Sequence, residues 1–200
     1  MLYSLLERMV QLDVDLFFVL NGKVQNAVLD FLMPILTNLN YWRIPIALMV
    51  VLLAIFGGKR GRIAIALLIV GITISDQLCN SLIKPLVGRI RPCNVLENIH
   101  LLINCNRSFS FPSSHAVNMF TGTIILSHIY QRWKIALIFI AFMVAYSRIY
   151  VGVHYPLDVL GGIILGIICA AIVIYTYKLL SRRYPFIGLK KMLPKESKDI

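Results

Sequence analysis

The chain has 200 residues, of which 58% are hydrophobic and only 14% are charged, and its formal net charge is +11. Soluble domains average about 45–50% apolar and about 25% charged residues, so this composition excludes an ordinary soluble protein and indicates one membrane domain over residues 1–200. A basic chain can bind nucleic acid or acidic lipid, or its charges can set membrane topology. The long apolar runs favour the last two, and no nucleic-acid partner is expected.

The first 20 residues predict an amphipathic helix. Apolar residues recur at spacings of three and four from Leu2 to Phe17. No basic start precedes an apolar core, and Glu7, Asp13 and Asp15 interrupt the segment, so no cleavable signal peptide is expected. The pattern fits a helix on the membrane surface and a helix packed on a bundle equally well.

Continuous apolar segments predict an all-α, polytopic membrane helix bundle with about six transmembrane helices. The segments lack the alternation that a membrane β-barrel needs. They are Val24–Leu39, Ile44–Phe56, Ile63–Ile83, Ala116–Tyr130, Ile135–Tyr146 and Leu157–Leu180. The first is the weakest, because it contains Asp30 and Pro34. A spanning helix needs about 20 residues, so the shorter segments are expected to extend into their polar ends.

Basic residues predict the orientation of the bundle. They cluster in the connections Gly57–Arg62 and Gln131–Lys134 and in the tail 184–200. Cytoplasmic connections carry an excess of Lys and Arg. Alternate threading of six helices then places these clusters and both termini on the cytoplasmic side. The remaining connections share the outer, extracytoplasmic face, and they hold nearly every unusual polar residue of the chain.

Three segments on that face carry the chemistry: KPLVGRIRP (Lys84–Pro92), PSSH (Pro112–His115) and SRIYVGVHYPLD (Ser147–Asp158). Cations and hydroxyls together suit a tetrahedral oxyanion, above all phosphate. PSSH is typical of a helix start, whose free N–H groups also favour an anion. His154 and Asp158 are four residues apart, so on a helix the carboxylate can fix one ring nitrogen and leave the other free to attack.

These segments resemble the signature of the type 2 phosphatidic acid phosphatase (PAP2) superfamily, which reads K-x6-RP, PSGH and SR-x5-H-x3-D. Ten of its eleven positions match, in the same order. The departure is Ser114, where the family pattern has Gly. Only a backbone N–H is needed from this position, so we expect Ser114 to be tolerated and to change phosphate contact or rate modestly. The superfamily also includes vanadium haloperoxidases, but this chain is too apolar for those soluble enzymes.

The resemblance implies a role for each residue of the site. His154 attacks phosphorus and forms a phosphohistidine, Asp158 orients His154, and His115 acts as general acid and then as general base. The implied phosphate-binding residues are Lys84, Arg91, Ser113, Ser114 and Arg148. No metal or other cofactor is expected, because three cations can stabilise the transition state and the motif histidines lack a third ligand at suitable spacing.

The implied function is an integral membrane phosphatase that acts on a lipid phosphate. Candidate substrates are undecaprenyl diphosphate, phosphatidylglycerol phosphate, phosphatidic acid and the 1-phosphate of lipid A, and an outward site favours the first. Two alternatives stay open: phosphotransfer to a lipid or sugar acceptor by the same residues, and a non-catalytic anion transporter. A transporter would not need His154 paired with Asp158. No pattern predicts the oligomeric state.

Several charged and polar residues lie outside the signature. Arg89 is expected to be a solvated charge. Asp76 and Asn80 precede Lys84 at successive intervals of four, and such a row should face the interior of the bundle. The row either supports Lys84 from below or forms a helix contact without a part in the chemistry.

Two cysteines and two further histidines complete the polar inventory. Cys93 and Cys105 bracket the predicted outer loop, where an oxidising space would allow a disulfide, and the sequence leaves the paired and the free states open. His100 and His128 belong to no motif, and we expect neither to take part in the chemistry.

Overall fold

The structure, a computed structural model, describes residues 2–184 and folds most of them into helices, with no strand in that range. The helices are α1 (Leu2–Phe18), α2 (Ala27–Thr37), α3 (Leu39–Phe56), α4 (Gly58–Gln77), α5 (Lys84–Val87), α6 (Ser114–Ile129), α7 (Lys134–Tyr150) and α8 (Pro156–Arg183). A π-helical stretch, Leu78–Ile83, joins α4 to α5. Met1 and nearly all of the predicted tail 184–200 lie outside the described residues.

The predicted all-α membrane bundle is confirmed. Four helical segments are long and apolar enough to cross a membrane: Leu39–Phe56, Gly58–Val87, Gln131–Tyr150 and Pro156–Arg183. The 16 residues of α6 lie among them and complete the bundle. Near the N-terminus, the helical stretches Glu7–Lys23 and Ala27–Thr37 form a further apolar pair bent by 116°. The chain is therefore a multi-pass membrane protein.

The first two predicted segments have different boundaries in the structure. Asn38 is extended (φ −89°, ψ 104°) and separates α2 from α3. Its side chain accepts a hydrogen bond from Asn40 N–H at 3.0 Å, which caps α3 and starts that helix before the predicted Ile44. At 1.5 Å per residue, α2 covers about 16 Å. This is about half the hydrocarbon thickness of a bilayer, so α2 alone does not cross it.

The centre of the bundle is α6, which packs against α4, α7 and α8. Near the starts of α6 and α8, a Cβ added at Gly162 would lie 2.7 Å from the Ser113 carbonyl oxygen and 2.9 Å from Ala116 Cβ. No side chain fits into that space, so glycine lets the two helix starts pack directly on each other. This contact brings the second and third sequence motifs together.

The outer surface of the bundle is apolar. No residue of α3 is buried, and large side chains such as Ile44, Phe56 and Ile135 are mostly exposed. In a soluble protein an apolar surface of this extent would lead to association. Lipid chains solvate such side chains, so the exposed surface agrees with a protein embedded in a bilayer.

One side of α1 packs on the bundle and the other is exposed. Asp13 and Phe17 are buried, and the Phe17 ring lies edge-on to Tyr155 with the ring centroids 5.6 Å apart. Val10 and Leu12 are exposed. Of the two placements that the sequence left open, the structure therefore has α1 packed on the bundle, with an apolar outer side that can still contact lipid.

The segment between α5 and α6 is fastened at several points. Cys93 and Cys105 are joined by a disulfide, which was one of the two states left open by the sequence. The side chain of Asn21 donates to the carbonyl oxygen of His100 at 2.9 Å and accepts from His100 N–H at 2.8 Å. The His100 ring lies 2.8 Å from a carboxylate oxygen of Asp30. His100 therefore holds this segment against the N-terminal part of the chain.

Candidate active site

Four chain segments meet at one end of the bundle: residues 84–92, the start of α6, the end of α7 and the start of α8. The last two are joined by a turn in which Gly152 has φ +85°. A Cβ at Gly152 would lie 2.8 Å from the His100 carbonyl oxygen, so only glycine fits this left-handed conformation. The turn lets His154 N–H donate to the carbonyl oxygen of Arg148 at 3.2 Å.

His154 lies at the centre of this site and is 1% exposed. Its Nε2 is 3.1 Å from Arg91 Nη1, which can only donate, so Nε2 is the acceptor and the ring proton is on Nδ1. Nδ1 faces Asp158 Oδ2 at 3.4 Å, but it makes no well-aligned hydrogen bond to any residue in the range 2–184. This tautomer leaves the lone pair of a nucleophile on Nε2.

The surroundings keep the His154 ring neutral. Burial lowers the pKa of His154 well below its usual value, and the positive charges of Arg148, Arg91 and Lys84 lower it further. The neutral ring is the form that can attack phosphorus. If His154 is the nucleophile, as predicted, it needs no separate base to remove a proton from it near neutral pH.

Arg91 is fixed by the segment that precedes α6. Its Nε donates to the Ser108 carbonyl oxygen at 2.9 Å, and its Nη2 donates to Ser108 Oγ at 3.0 Å. Its Nη1 also donates to the Val153 carbonyl oxygen at 3.2 Å. Burial lowers the pKa of Arg91, but a guanidinium keeps its proton in proteins. A rigid positive charge therefore lies beside Nε2 of His154.

Asp158 is fully buried and is paired with Arg89. Arg89 Nη1 donates to Oδ1 at 2.9 Å, and Tyr155 N–H donates to Oδ2 at 2.9 Å. Arg89 Nη2 donates to Asp13 Oδ2 at 2.5 Å, and the guanidinium carbon lies 4.0 Å from the centroid of the Tyr155 ring. The prediction that Arg89 is a solvated charge is wrong. Two buried carboxylates and an aromatic face attract it, and the sequence alone does not bring them together.

His115 and Arg148 share one partner, Thr37, the last residue of α2. His115 Nε2 lies 3.2 Å from the Thr37 carbonyl oxygen and therefore donates to it. Arg148 Nη1 donates to the Thr37 hydroxyl. In this tautomer, Nδ1 of His115 carries the lone pair, so it is the atom that can take up a proton and later return it. The short helix α2 thus fixes both the second histidine and a cation of the site.

A polar network runs from Lys84 along α4 and α6. Lys84 Nζ donates to Ser114 Oγ at 2.7 Å, and Ser114 Oγ donates to Asn80 Oδ1 at 2.8 Å. Asn80 and Asn118 each donate to Asp76 Oδ1 at 2.9 Å. The polar row predicted below Lys84 therefore reaches it through Ser114. This geometry agrees with the interpretation in which the row supports Lys84.

The two serines at the start of α6 differ in their surroundings. Ser113 N–H donates to the Asp158 carbonyl oxygen at 2.9 Å, but its buried Oγ has no hydrogen-bond partner in residues 2–184. The same holds for Arg148 Nε. Buried polar atoms are nearly always paired, so these two donors suit a ligand rich in oxygen. Ser114 begins α6 without a positive φ, so replacing the family Gly causes no backbone strain.

The structure brings all eight predicted residues together and adds partners that the sequence did not indicate. Arg91 and Asp158 lie next to the His154 ring, Ser113 N–H donates to the Asp158 carbonyl oxygen, and Lys84 donates to Ser114. The positive charges of Lys84, Arg91 and Arg148 also lower the pKa of His154. The added partners are Asp13, Thr37, Arg89 and Ser108. The sequence does give one indication that Asp13 is buried, because it lies four residues before the apolar Phe17 and so on the same side of α1. No sequence pattern indicates a role for Thr37.

Comparisons with known proteins agree with this geometry. The profile of the PAP2 superfamily matches residues 63–182. Lipid A 4'-phosphatase of Bacteroides thetaiotaomicron is 33% identical over 171 residues, which are 81% of this chain and 75% of that protein. Undecaprenyl-diphosphatase of Sulfolobus acidocaldarius is 36% identical over 163 residues, 80% of this chain and 76% of that protein.

A solved structure has the same fold. The crystal structure of Aquifex aeolicus LpxE superposes with a TM-score of 0.67 and 30% sequence identity, and the match covers 82% of this chain and 95% of that chain. The family match spans more than half of the chain, and it contains all four segments that form the site. The chain belongs to the PAP2 superfamily and is a membrane phosphatase.

Proposed function

We propose that this chain hydrolyses the phosphate group of a membrane lipid through a phosphohistidine intermediate. The observation that carries the proposal is the setting of His154. Its Nε2 lone pair lies beside the fixed guanidinium of Arg91, and its Nδ1 faces the Asp158 carboxylate. An anion transporter needs the positive charges but does not need a neutral histidine with a carboxylate behind it.

The reaction proceeds in two displacements. His154 Nε2 attacks phosphorus and the P–O bond to the lipid breaks. His115, protonated on both ring nitrogens when the anionic substrate is bound, donates its Nδ1 proton to the departing oxygen. Asp158 stabilises the positive charge that the phosphorylated ring acquires. Water then attacks the phosphohistidine and gives a proton to His115, and the P–N bond breaks. Inorganic phosphate leaves, and both histidines return to their starting states.

Cations supply the electrostatic stabilisation that each displacement needs. Lys84, Arg91 and Arg148 surround the nucleophile, and Ser113 Oγ and Arg148 Nε are buried donors without a protein partner in residues 2–184. Donors aimed at the charge that develops on the phosphoryl oxygens are the main source of catalysis in phosphoryl transfer. We therefore propose that the reaction needs no metal ion.

The proposed substrate is a lipid whose phosphate reaches the interface while its tail stays in the bilayer. Undecaprenyl diphosphate is our first candidate, because the site is proposed to face outward. Phosphatidylglycerol phosphate, phosphatidic acid and a lipid A phosphate are the others. The names of the relatives support this class, since they include phosphatases of lipid A and of undecaprenyl diphosphate.

The site is proposed to lie on the extracytoplasmic face of a bacterial plasma membrane. Ala64, Ile129 and Val173 pack in one cluster, so the two basic connections and the end of α8 lie at the end of the bundle away from the site. Basic residues favour the cytoplasmic side, which supports an outward site. A reporter fused after Ile200 should be cytoplasmic. The predicted position of the N-terminus falls on Met1, outside the described residues.

Phosphate release by the purified full chain in detergent tests the proposal. The chain is given each of the four lipids with excess chelator and no acceptor alcohol. Release of phosphate is expected, and it would decide for hydrolysis over phosphotransfer and transport. Loss of release on adding chelator would refute metal independence. A substrate labelled in its phosphate should leave label on the chain in an alkaline quench, and release without such label would refute the phosphohistidine.

A further inference from the structure

The N-terminal helix contributes a buried carboxylate to the site. Asp13 is 3% exposed, and its two oxygens have different partners. Oδ1 accepts from Leu157 N–H in the first turn of α8 at 2.8 Å, and Oδ2 accepts from Arg89 at 2.5 Å. Asp13 lies outside the residues that match the family profile, 63–182, and outside all three sequence motifs. Its contacts are therefore a property of this chain that the family signature does not include.

Arg89 connects Asp13 to the carboxylate behind the nucleophile. Its two Nη atoms donate to two different aspartates, Asp13 and Asp158. Two buried carboxylates and one guanidinium thus form one cluster, with the guanidinium over the Tyr155 ring. Buried charges are retained only when they are paired in good geometry. Removal of the cation would take from both carboxylates the guanidinium that pairs with them.

We infer that Arg89, held in place by Asp13, is a positioning residue for the histidine nucleophile. Arg89 occupies Oδ1 of Asp158, so Oδ2 is the oxygen that faces His154 Nδ1 at 3.4 Å. Tyr155 N–H fixes Oδ2 from the other side. The order of contacts is Asp13, Arg89, Asp158 and His154. The inference rests on the proposed function, since it assumes that His154 attacks phosphorus.

A positioning role predicts a particular kinetic signature. Arg89 contacts two carboxylates and an aromatic ring, and it belongs to none of the predicted phosphate-binding positions. Misplacement of a reacting group can lower the rate by about 100-fold without any contact being lost to the substrate. Arg89→Gln should therefore lower kcat about 10- to 100-fold and leave KM, and the inhibition constant of inorganic phosphate, within about twofold.

Asp13 provides the second and sharper test. Asp13→Asn removes the charge but keeps an oxygen for Leu157 N–H. If Asp13 acts through Arg89, this change lowers kcat in the otherwise unaltered chain but adds no further loss to the Arg89→Gln protein. A purely structural ion pair predicts no change in kcat for the correctly folded fraction. Non-additivity of this kind is the mark of residues that act as one unit.

The experiment compares Arg89→Gln, Arg89→Lys, Asp13→Asn and the double variant with the unaltered full chain in detergent. Arg107→Gln is the matched control, since Arg107 is an exposed cation in the segment before α6. Each protein is first checked for thermal unfolding temperature and elution volume. If Arg89→Gln does not fold, Arg89→Lys is decisive, because it keeps the charge and should lose kcat while KM stays constant.

Three outcomes would overturn the inference. In the first, the folded Arg89 variants have the same kcat as Arg107→Gln. In the second, KM rises while kcat stays constant. In the third, the losses of Asp13→Asn and Arg89→Gln multiply in the double variant. His154→Ala separates this result from the proposed function. If His154→Ala is inactive and the Arg89 variants are normal, only the positioning role fails. If His154→Ala is active, the proposed function itself fails.

Discussion

The two histidines of the site are held by different parts of the chain. After their proposed roles, we call His154 with Arg91 and Asp158 the nucleophile side, and His115 with Arg148 the acid side. The nucleophile side is anchored by Ser108, in the segment before α6, and by Arg89, in the segment after α5. The acid side is anchored by Thr37, at the end of α2. One side is thus held mainly within the matched family region and the other from outside it.

This difference has a chemical counterpart. Bond formation to phosphorus on the nucleophile side is needed for every substrate. Proton donation on the acid side matters in proportion to how basic the departing oxygen is. The alcohol of a lipid phosphomonoester such as phosphatidic acid leaves as a strong base, whereas an aryl phosphate releases a stable phenolate. A pair of substrates can therefore measure the two sides separately.

The largest effect is expected for His154→Ala. Loss of the nucleophile should lower phosphate release on the order of 10⁴-fold or more, for a lipid phosphate and for an aryl phosphate alike. Both rates are measured with the same preparation. His128→Ala is the matched control, because His128 lies at the other end of α6 and belongs to no motif. A His154→Ala protein as active as that control would remove the distinction between the two sides.

A smaller and more selective effect is expected for His115→Gln. General acid catalysis contributes about 10²- to 10⁴-fold, so hydrolysis of a lipid phosphomonoester such as phosphatidic acid should fall by that factor. Phosphorylation of the chain by the aryl phosphate should slow by less than about tenfold, because the phenolate needs no proton. Rapid alkaline quench measures this first step directly. An equal loss on both substrates would show that His115 does not donate the proton.

The third effect tests the anchor of the acid side. Thr37→Val keeps the shape of the side chain but removes the hydroxyl that accepts from Arg148. Hydrogen bonds to charged groups contribute about 1.5–3 kcal/mol, so kcat/KM should fall about 10- to 150-fold. Thr37→Ser is the matched control and should stay within about threefold of the unaltered chain, since it keeps the hydroxyl. Equal rates for Thr37→Val and Thr37→Ser would mean that α2 does not fix the acid side through this hydroxyl.

The sequence predicted the site residues better than their anchors, for a physical reason. His154 and Asp158 are four residues apart, and a helix turns such a spacing into proximity. The contact between Thr37 and Arg148 joins residues 111 positions apart in the chain, and no periodic pattern encodes it. Arg89 was predicted to be solvated for the same reason, because its partner Asp13 is 76 positions away.

The fold shows the same limit at a smaller scale. Apolar runs predicted the bundle, because lipid selects for long apolar helices. The break at Asn38 depends on one side chain that caps α3, and a hydropathy pattern does not detect such a cap. The consequence is functional, since the end of α2 at Thr37 is what contacts the acid side.

The smallest effect is expected at Ser114, the position where this chain departs from the family pattern. Ser114 Oγ accepts from Lys84 Nζ and donates to Asn80 Oδ1. It therefore orients the Lys84 cation and contacts neither the nucleophile side nor the acid side. The bond from Lys84 is only partly buried, whereas the bond from Arg148 to Thr37 is buried, so we take the lower value of about 0.5–1.5 kcal/mol for a net hydrogen bond. Ser114→Gly should therefore lower kcat/KM about two- to twelvefold, equally on the lipid and the aryl phosphate.

Ser114→Ala is the matched variant, because it also lacks the hydroxyl but keeps a helix-forming residue at the start of α6. Equal losses in both variants would assign the effect to the hydroxyl and its contact with Lys84. A loss in Ser114→Gly alone would assign it to the backbone of the first turn instead. In that case the polar row below Lys84 would be a helix contact only, and Lys84 would be held by its own helix.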